Sequence, residues 1–216
     1  MYLVITPNAY EKYSIELRNM FRLRHRVFKE RLGWDVTSVD GEERDQFDDL
    51  NPVYIVVLDD QRDVIGCWRL LPTMGPYMLA DVFPALMDGR MAIHDPMIWE
   101  CSRFAVDCSG HRENNLAAVA SVTYELFMGL ASFCVPRGIS GVVTVYDLRI
   151  GRLMSRVGIK PHWKTSTRRI GDTAALAGYF PVNEANVAKA AAGAIDGTAL
   201  WQPELTNTAS LNSAHA

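Results

Sequence analysis

Two periods alternate along this chain, and the switches between them mark out its elements. Between about Tyr10 and Arg31 the apolar positions Leu17, Met20, Phe21, Val27, Phe28 and Leu32 recur every three or four residues, which predicts an amphipathic helix ended by Gly33. Short apolar runs elsewhere predict strands: Tyr2 to Ile5, VYIVVL at 53–58, VIGCWRLL at 64–71, MIWECSRFAV at 97–106 and GVVTVY at 141–146. The turn-like Asp59 to Asp63 makes the second and third of these a hairpin. Helical spacing returns at 115–134, behind the polar turn SGHRENN, and again at 147–158, closed by Gly158. Strand-like stretches at about 162–170 and 177–180 follow. The acidic, aperiodic stretch from Trp34 to Asn51 reads as a long loop. From Val182 the chain is rich in Ala, Asn, Thr and Ser, so we divide it into a domain at 1–181 and a weakly helical or disordered tail at 182–216.

Hairpin-connected strands followed by a helical crossover imply an α/β protein. The expected architecture is a three-layer α/β/α sandwich around a mixed, mainly antiparallel sheet. No glycine fingerprint follows the first strand and no GxxxxGK[ST] loop occurs, which excludes dinucleotide-binding and phosphate-loop readings. A formal net charge of -3 leaves no global field for nucleic acid. Cys67, Cys101, Cys108 and Cys134 lack paired spacing and sit in apolar company, so free thiols are expected rather than disulfides or a metal site. No apolar run reads as long enough to cross a bilayer, and the N-terminus does not read as a signal peptide, so the expected location is the cytoplasm, without membrane contact.

Charge placement alters this picture. Arg24 falls on the apolar stripe of the first helix, and Arg69, Glu100 and Arg103 interrupt runs built for burial, with Asp45 and Asp48 in the loop between. Buried charges are expensive unless paired or used. The cluster is either a set of ion pairs fixing loops to the core or a polar cleft.

Four blocks in order, LRxxVFxxxLGW at 23–34 with Arg24, Phe28 and Trp34, DQFD at 45–48, GCWRLLPT at 66–73 and WECSRF at 99–104, resemble the acyl-homoserine-lactone synthases of bacterial quorum sensing. The resemblance covers roughly the first 180 residues. It implies a fold similar to Gcn5-type N-acetyltransferases and an acyl transfer followed by ring closure. The amine of S-adenosylmethionine attacks an acyl thioester, and its carboxylate then displaces methylthioadenosine to close the lactone. S-adenosylmethionine is thus a substrate, and no cofactor or metal is implied. The alternatives are a plain acyl-CoA-dependent N-acyltransferase and a non-enzymatic binding protein on the same fold.

The residues divide accordingly. Glu100, with Arg103, is the catalytic candidate, because the attacking ammonium must lose a proton. Arg24, Asp45, Asp48 and Arg69 supply both signs around a zwitterionic sulfonium, with Arg24 and Arg69 favoured as loop anchors. Trp34, Phe28, Phe83 and Phe104 are candidates to wall it by cation–π contact, though Phe28 and Phe104 equally suit the core. Glu100 and Arg103 are three apart, so a regular strand would point them to opposite faces, and a bulge is expected. Such a bulge would open a gap for the thioester arm. Leu126, Met128, Val143 and Val145, with Thr144, form either an acyl tunnel or simply core. The segment Ser109 to Asn115 offers amides at a helix start for a phosphate or pantetheine group. Arg149, Arg152 and Arg156 form a basic ridge that fits either an acidic acyl carrier protein or a solvated face. The donor, acyl carrier protein or acyl-CoA, stays open at this stage.

Overall fold

The chain enters through β1 (Tyr2–Ile5) and α1 (Ser14–Arg24), passes β2 (Ser38–Val39) and β3 (Glu42–Glu43), and continues through β4 (Val53–Leu58) and β5 (Val64–Pro72). The short α2 (Met78–Asp81) precedes β6 (Ile98–Val106), α3 (Leu116–Cys134), β7 (Gly141–Asp147) and α4 (Leu148–Arg156). It closes with β8 (Trp163–Lys164), β9 (Arg168–Ile170) and β10 (Thr173–Pro181). The structure is a computed structural model, and it describes residues 1–107, 116–156, 158–170 and 173–188. Residues 108–115, with the amides expected at Ser109 to Asn115, and residues 189–216 lie outside the described residues.

The main sheet runs β1-β4-β5-β6-β7-β10-β8, with β9 also paired to β10. Only the β6–β7 pair is parallel among these pairings, because α3 crosses over between them. The expected mixed, mainly antiparallel sandwich is therefore present. On one face α3 packs Leu126, Phe127, Leu130 and Cys134 against Ile55, Trp68 and Leu70. On the other, Leu17, Met20, Phe21, Val27 and Phe28 cover Tyr54, Val56, Cys67 and Ala105. Beyond them on that second face, Tyr77, Leu79, Leu86 and Met87 cover Val143, Ala175 and Ala177.

Three expectations change. Residues 118–137 are, by length and apolarity, long enough to cross a bilayer, contrary to the sequence reading. Packing against the sheet accounts for that apolarity as it does for any core helix. The first helix does not run uniformly to Arg31: His25–Arg31 form π-helical turns, with Leu32 N–H donating to Val27 C=O. The wider turn rotates Leu32 off the apolar stripe, and it is 38% exposed. Gly33 then ends the segment at φ +63°, where a glycine is at no disadvantage. Finally, the stretch 34–51 is structured. It holds the β2–β3 hairpin and a 3-10 turn at Gln46–Leu50 closed by a reciprocal capping box between Asp45 and Asp48. Val182 is buried and donates to Ser140 C=O, and residues 184–188 are helical, with Val187 packed on the core.

Candidate active site

The register of β5 against β6 carries the site. Cys67 pairs with Ala105 but Arg69 pairs with Ser102, so β6 holds one extra residue opposite Trp68. Arg103 lies at the bulge with φ +57°, the left-handed region. The expected bulge is there, and its effect is specific. Cys101 packs on the α3 face and Phe104 meets Trp68 edge-on there, while Glu100, Ser102 and Arg103 all reach groups on the α1 face. β6 also leaves β7 early. Only Ile98, Trp99 and Glu100 pair with Gly141, Val142 and Val143, and the strands part beyond.

Six charges form one network on that face. Arg24 donates Nε to Glu43 at 2.5 Å and grips Asp48 with both terminal nitrogens at 2.8 Å. Arg69 reaches Asp45 at 2.5 Å and Asp48 at 3.0 Å, and its Nε donates to Ser102 Oγ at 3.2 Å. Arg103 joins Glu43 at 3.2 Å and Asp45 at 2.5 Å. The Arg103–Asp45 contact lacks a hydrogen-bonding angle, so Asp45 Oδ2 is held by charge alone and accepts no hydrogen bond among the described residues. Tyr54 donates to Asp48 at 2.8 Å. Arg24, Arg69 and Glu43 have fully buried side chains, whereas those of Arg103 and Asp45 keep 11% and 13% exposure. The deep members anchor the loop and the shallow pair forms the rim.

Three positive and three negative charges balance, which is how so many survive burial. Burial alone would push Asp48 up, but the charge and hydrogen bonds of Arg24, then Arg69, hold its carboxyl well below the usual carboxylate range. Burial likewise opposes the charge of Arg24, and Asp48 and Glu43 overrule it. For Arg103 burial wins, and its pKa falls despite Glu43 and Asp45.

Glu100 stands apart from these pairs. It is buried, and its carboxylate accepts from Leu79 N–H at 2.6 Å and Met78 N–H at 3.0 Å. Burial raises its pKa, and the two amides only partly offset that. A carboxylate in that condition is a stronger base than a solvated one.

The other candidates separate by face. Phe28 stacks on Trp34, ring centroids 5.2 Å apart and nearly parallel, and the Arg103 guanidinium lies 5.6 Å from the Phe28 centroid. Trp34 is 38% exposed and available to a ligand. Phe104 is not part of this wall, because strand alternation past the bulge sends it to the α3 face. Phe83 packs with Tyr77, Leu79 and Val143, and no described guanidinium lies over its ring. The acyl candidates split in the same way. Leu126 and Met128 are on α3, and Val142 and Tyr146, the neighbours of Thr144 at two-residue spacing, pack there. Val143 and Val145 pack on the opposite face, so a single tunnel of all five is not formed. Arg149, Arg152 and Arg156 are exposed along α4, with no ion pair among the described residues.

Sequence reasoning missed Glu43, Ser102, Tyr54 and Met78. None of the four left a signal: Glu100 with Asp45 and Asp48 already balances the three inward arginines in the sequence, and Glu43 stands in a stretch without an apolar period. Cys67, Cys101 and Cys134 are free and buried.

A mixed sandwich whose two central parallel strands part after three paired residues is a fold of the N-acetyltransferase type. A putative N-acetyltransferase from Lactobacillus plantarum shares the fold, with a TM-score of 0.53 at 13% identity over 84% of this chain and 98% of that one. The autoinducer synthase profile matches residues 8–190, and this chain belongs to that family. It is 39% identical over 185 residues to an acyl-homoserine-lactone synthase of Agrobacterium fabrum, covering 85% of this chain and 87% of the relative. It is 40% identical over 173 residues to one of Aliivibrio fischeri, covering 79% and 89%. The crystal structure of the synthase LasI superposes with a TM-score of 0.75 at 32% identity, over 94% of this chain and 98% of that one. The CoA-dependent synthase BjaI, solved with S-adenosylmethionine and isopentyl-CoA, gives a TM-score of 0.74 at 27% identity, over 88% and 87%.

Proposed function

We propose that this chain makes an N-acyl-L-homoserine lactone from S-adenosylmethionine and an acyl thioester. The observation that carries the reading is the desolvated Glu100 carboxylate beside a neutral buried ion network, both set on one face by the β6 bulge. Glu100 takes a proton from the substrate ammonium, directly or through a water, and the freed amine attacks the thioester carbonyl. The N–C bond forms, the C–S bond breaks and the donor leaves as a thiol. The substrate carboxylate then attacks the carbon bonded to the sulfonium, closing the lactone and expelling methylthioadenosine. No external oxidant or metal is needed for either step.

Arg103 and Asp45, the least buried members of the network, are suited to face the zwitterion. Trp34 stacked on Phe28 offers a wall, at about 0.5–2 kcal/mol per well-placed cation–π contact. The thioester arm enters where β6 and β7 part, with Leu126, Met128 and Thr144 on the α3 side of that opening. The exposed Arg149, Arg152 and Arg156 suit an acidic carrier protein as donor. The setting is the cytoplasm, in keeping with three buried free thiols.

The test is incubation with S-adenosylmethionine and a panel of acyl thioesters on CoA and on carrier protein. Thiol and methylthioadenosine released together in equal amounts support the reading, thiol alone indicates plain N-acylation, and neither product defeats it. Glu100→Gln is expected to lower kcat far more than it raises KM for S-adenosylmethionine.

A further inference from the structure

Glu100 and the ion network share no ion pair, yet two residues join them. Ser102 does so within β6, between Arg69 Nε and the Glu100 carboxylate. The second, Met78, comes from a different segment, the strap of chain between β5 and β6. Its N–H lies 3.0 Å from Glu100 Oε2, while its Sδ lies 3.6 Å from Arg69 Nη2 and 3.1 Å from Arg103 Nη1.

We propose that Met78 is a positioning residue of this site: its amide orients the Glu100 carboxylate while its thioether receives an N–H from each of Arg69 and Arg103. The proposal rests on the reading of Glu100 as the base. Amides at a helix start have no intrahelical partner and are free to bind a carboxylate, and here two of them do so. The thioether suits its place for a separate reason. Two guanidiniums converge on it, and a polarizable sulfur accepts weakly from both without adding a charge to a network already balanced. A leucine there offers no lone pair, and an acid upsets the balance. The strap is held for this purpose at both ends of Tyr77, whose ring is fully buried. Its N–H donates to Asp81, and its hydroxyl accepts from Ile93 N–H at 2.8 Å.

The two halves separate by substitution. Met78→Leu keeps the amide and nearly the volume but removes the sulfur. Met78→Pro removes the amide as well, and proline suits a first helical position behind Tyr77, which is extended at φ -150° and ψ 154°. With the full chain, S-adenosylmethionine and an accepted acyl thioester, Met78→Leu is expected to raise KM for S-adenosylmethionine about tenfold and leave the pH profile in place. Met78→Pro is expected to move the acid limb of kcat/KM upward by about one pH unit, because a carboxylate deprived of an amide donor ionises less readily. Parental KM in the first and a parental acid limb in the second overturn the proposal. If Met78→Pro does not fold, hydrogen exchange decides the amide half: the Met78 and Leu79 amides are expected to be protected in the parent and unprotected in Glu100→Ala, and equal exchange in both overturns it. Glu100→Gln separates this failure from that of the underlying reading. Parental turnover in that variant removes the base assignment and the proposal together, whereas its inactivity beside parental Met78 variants removes the proposal alone.

Discussion

Glu43 gives the strictest test of the ion network, because it touches two cations and has no solvent to fall back on. Its side chain is fully buried, 2.5 Å from Arg24 Nε and 3.2 Å from Arg103 Nε. Glu43→Ala leaves the network with one uncompensated positive charge. Breaking a buried pair by removing one partner costs about 3–5 kcal/mol. The lower end applies here, since Arg24 keeps both bonds to Asp48 and Arg103 keeps Asp45. For a chain of this size about 3 kcal/mol corresponds to a fall in Tm of roughly 6–12 °C. Urea unfolding followed by tryptophan fluorescence, with parallel thermal melts, measures both. The loss should persist in 1 M salt, where the screening length is about 3 Å but water and ions have no access to the pair. A variant within about 1 kcal/mol of the parent, or a deficit that salt abolishes, refutes the account of Glu43 as a buried counter-charge to two arginines.

Three further outcomes are expected. Because the folded-state pKa of Asp48 is depressed, its contribution is present in full above the unfolded carboxylate pKa of about 4 and is lost as pH falls toward the folded value. Acid unfolding of the parent should therefore steepen below about pH 4, and Asp48→Asn, which lacks that titration, should show a flatter acid branch from a lower starting stability. Gly129→Ala should destabilise although alanine is the better helix former by about 1 kcal/mol, because the added methyl would sit 2.5 Å from Ile55 Cγ2 and 3.2 Å from the Tyr2 ring. A raised Tm would show that α3 can lift off the sheet without cost. Charge reversal at Arg152 and Arg156 should slow turnover with a carrier-protein donor by about tenfold or more at low salt and leave acyl-CoA use alone. Equal rates with both donors dismiss α4 as the docking face.

The parts of the fold that were legible are those with a single dominant period. VYIVVL and GVVTVY are strands because nothing else buries such runs in so few residues, and their order fixed the sandwich. The site was legible only as a list of inward charges. Glu43 sits in GEERDQFDD, a stretch with no apolar period to say which acid turns inward, and the hairpin that buries it is two residues per strand. The acyl candidates split between the two faces for the opposite reason. Val143 and Val145 carry a clear strand period, but a strand buried on both faces does not announce which face meets α3. Leu32 was misplaced because π-turns leave no mark in the residue pattern until they have already shifted it.

The bulge at Arg103 shows why this site is built on a sheet irregularity and not on a loop. A left-handed non-glycine residue costs on the order of 1–3 kcal/mol, so the surroundings must over-determine it. They do: Arg103 is held by Glu43 and Asp45 from one segment and by Met78 Sδ from another. In return one inserted residue brings Glu100, Ser102 and Arg103 to the same face, which a regular strand forbids for positions three apart. The strain is thus tied to the ion network, and the network to the loop that carries Trp34. A glycine at 103 would relax the backbone but release all three contacts, so here the side chain, not the backbone preference, selects the conformation. Placing Glu100 on a central strand leaves Trp34, exposed on its loop, as the group free to adjust to what enters.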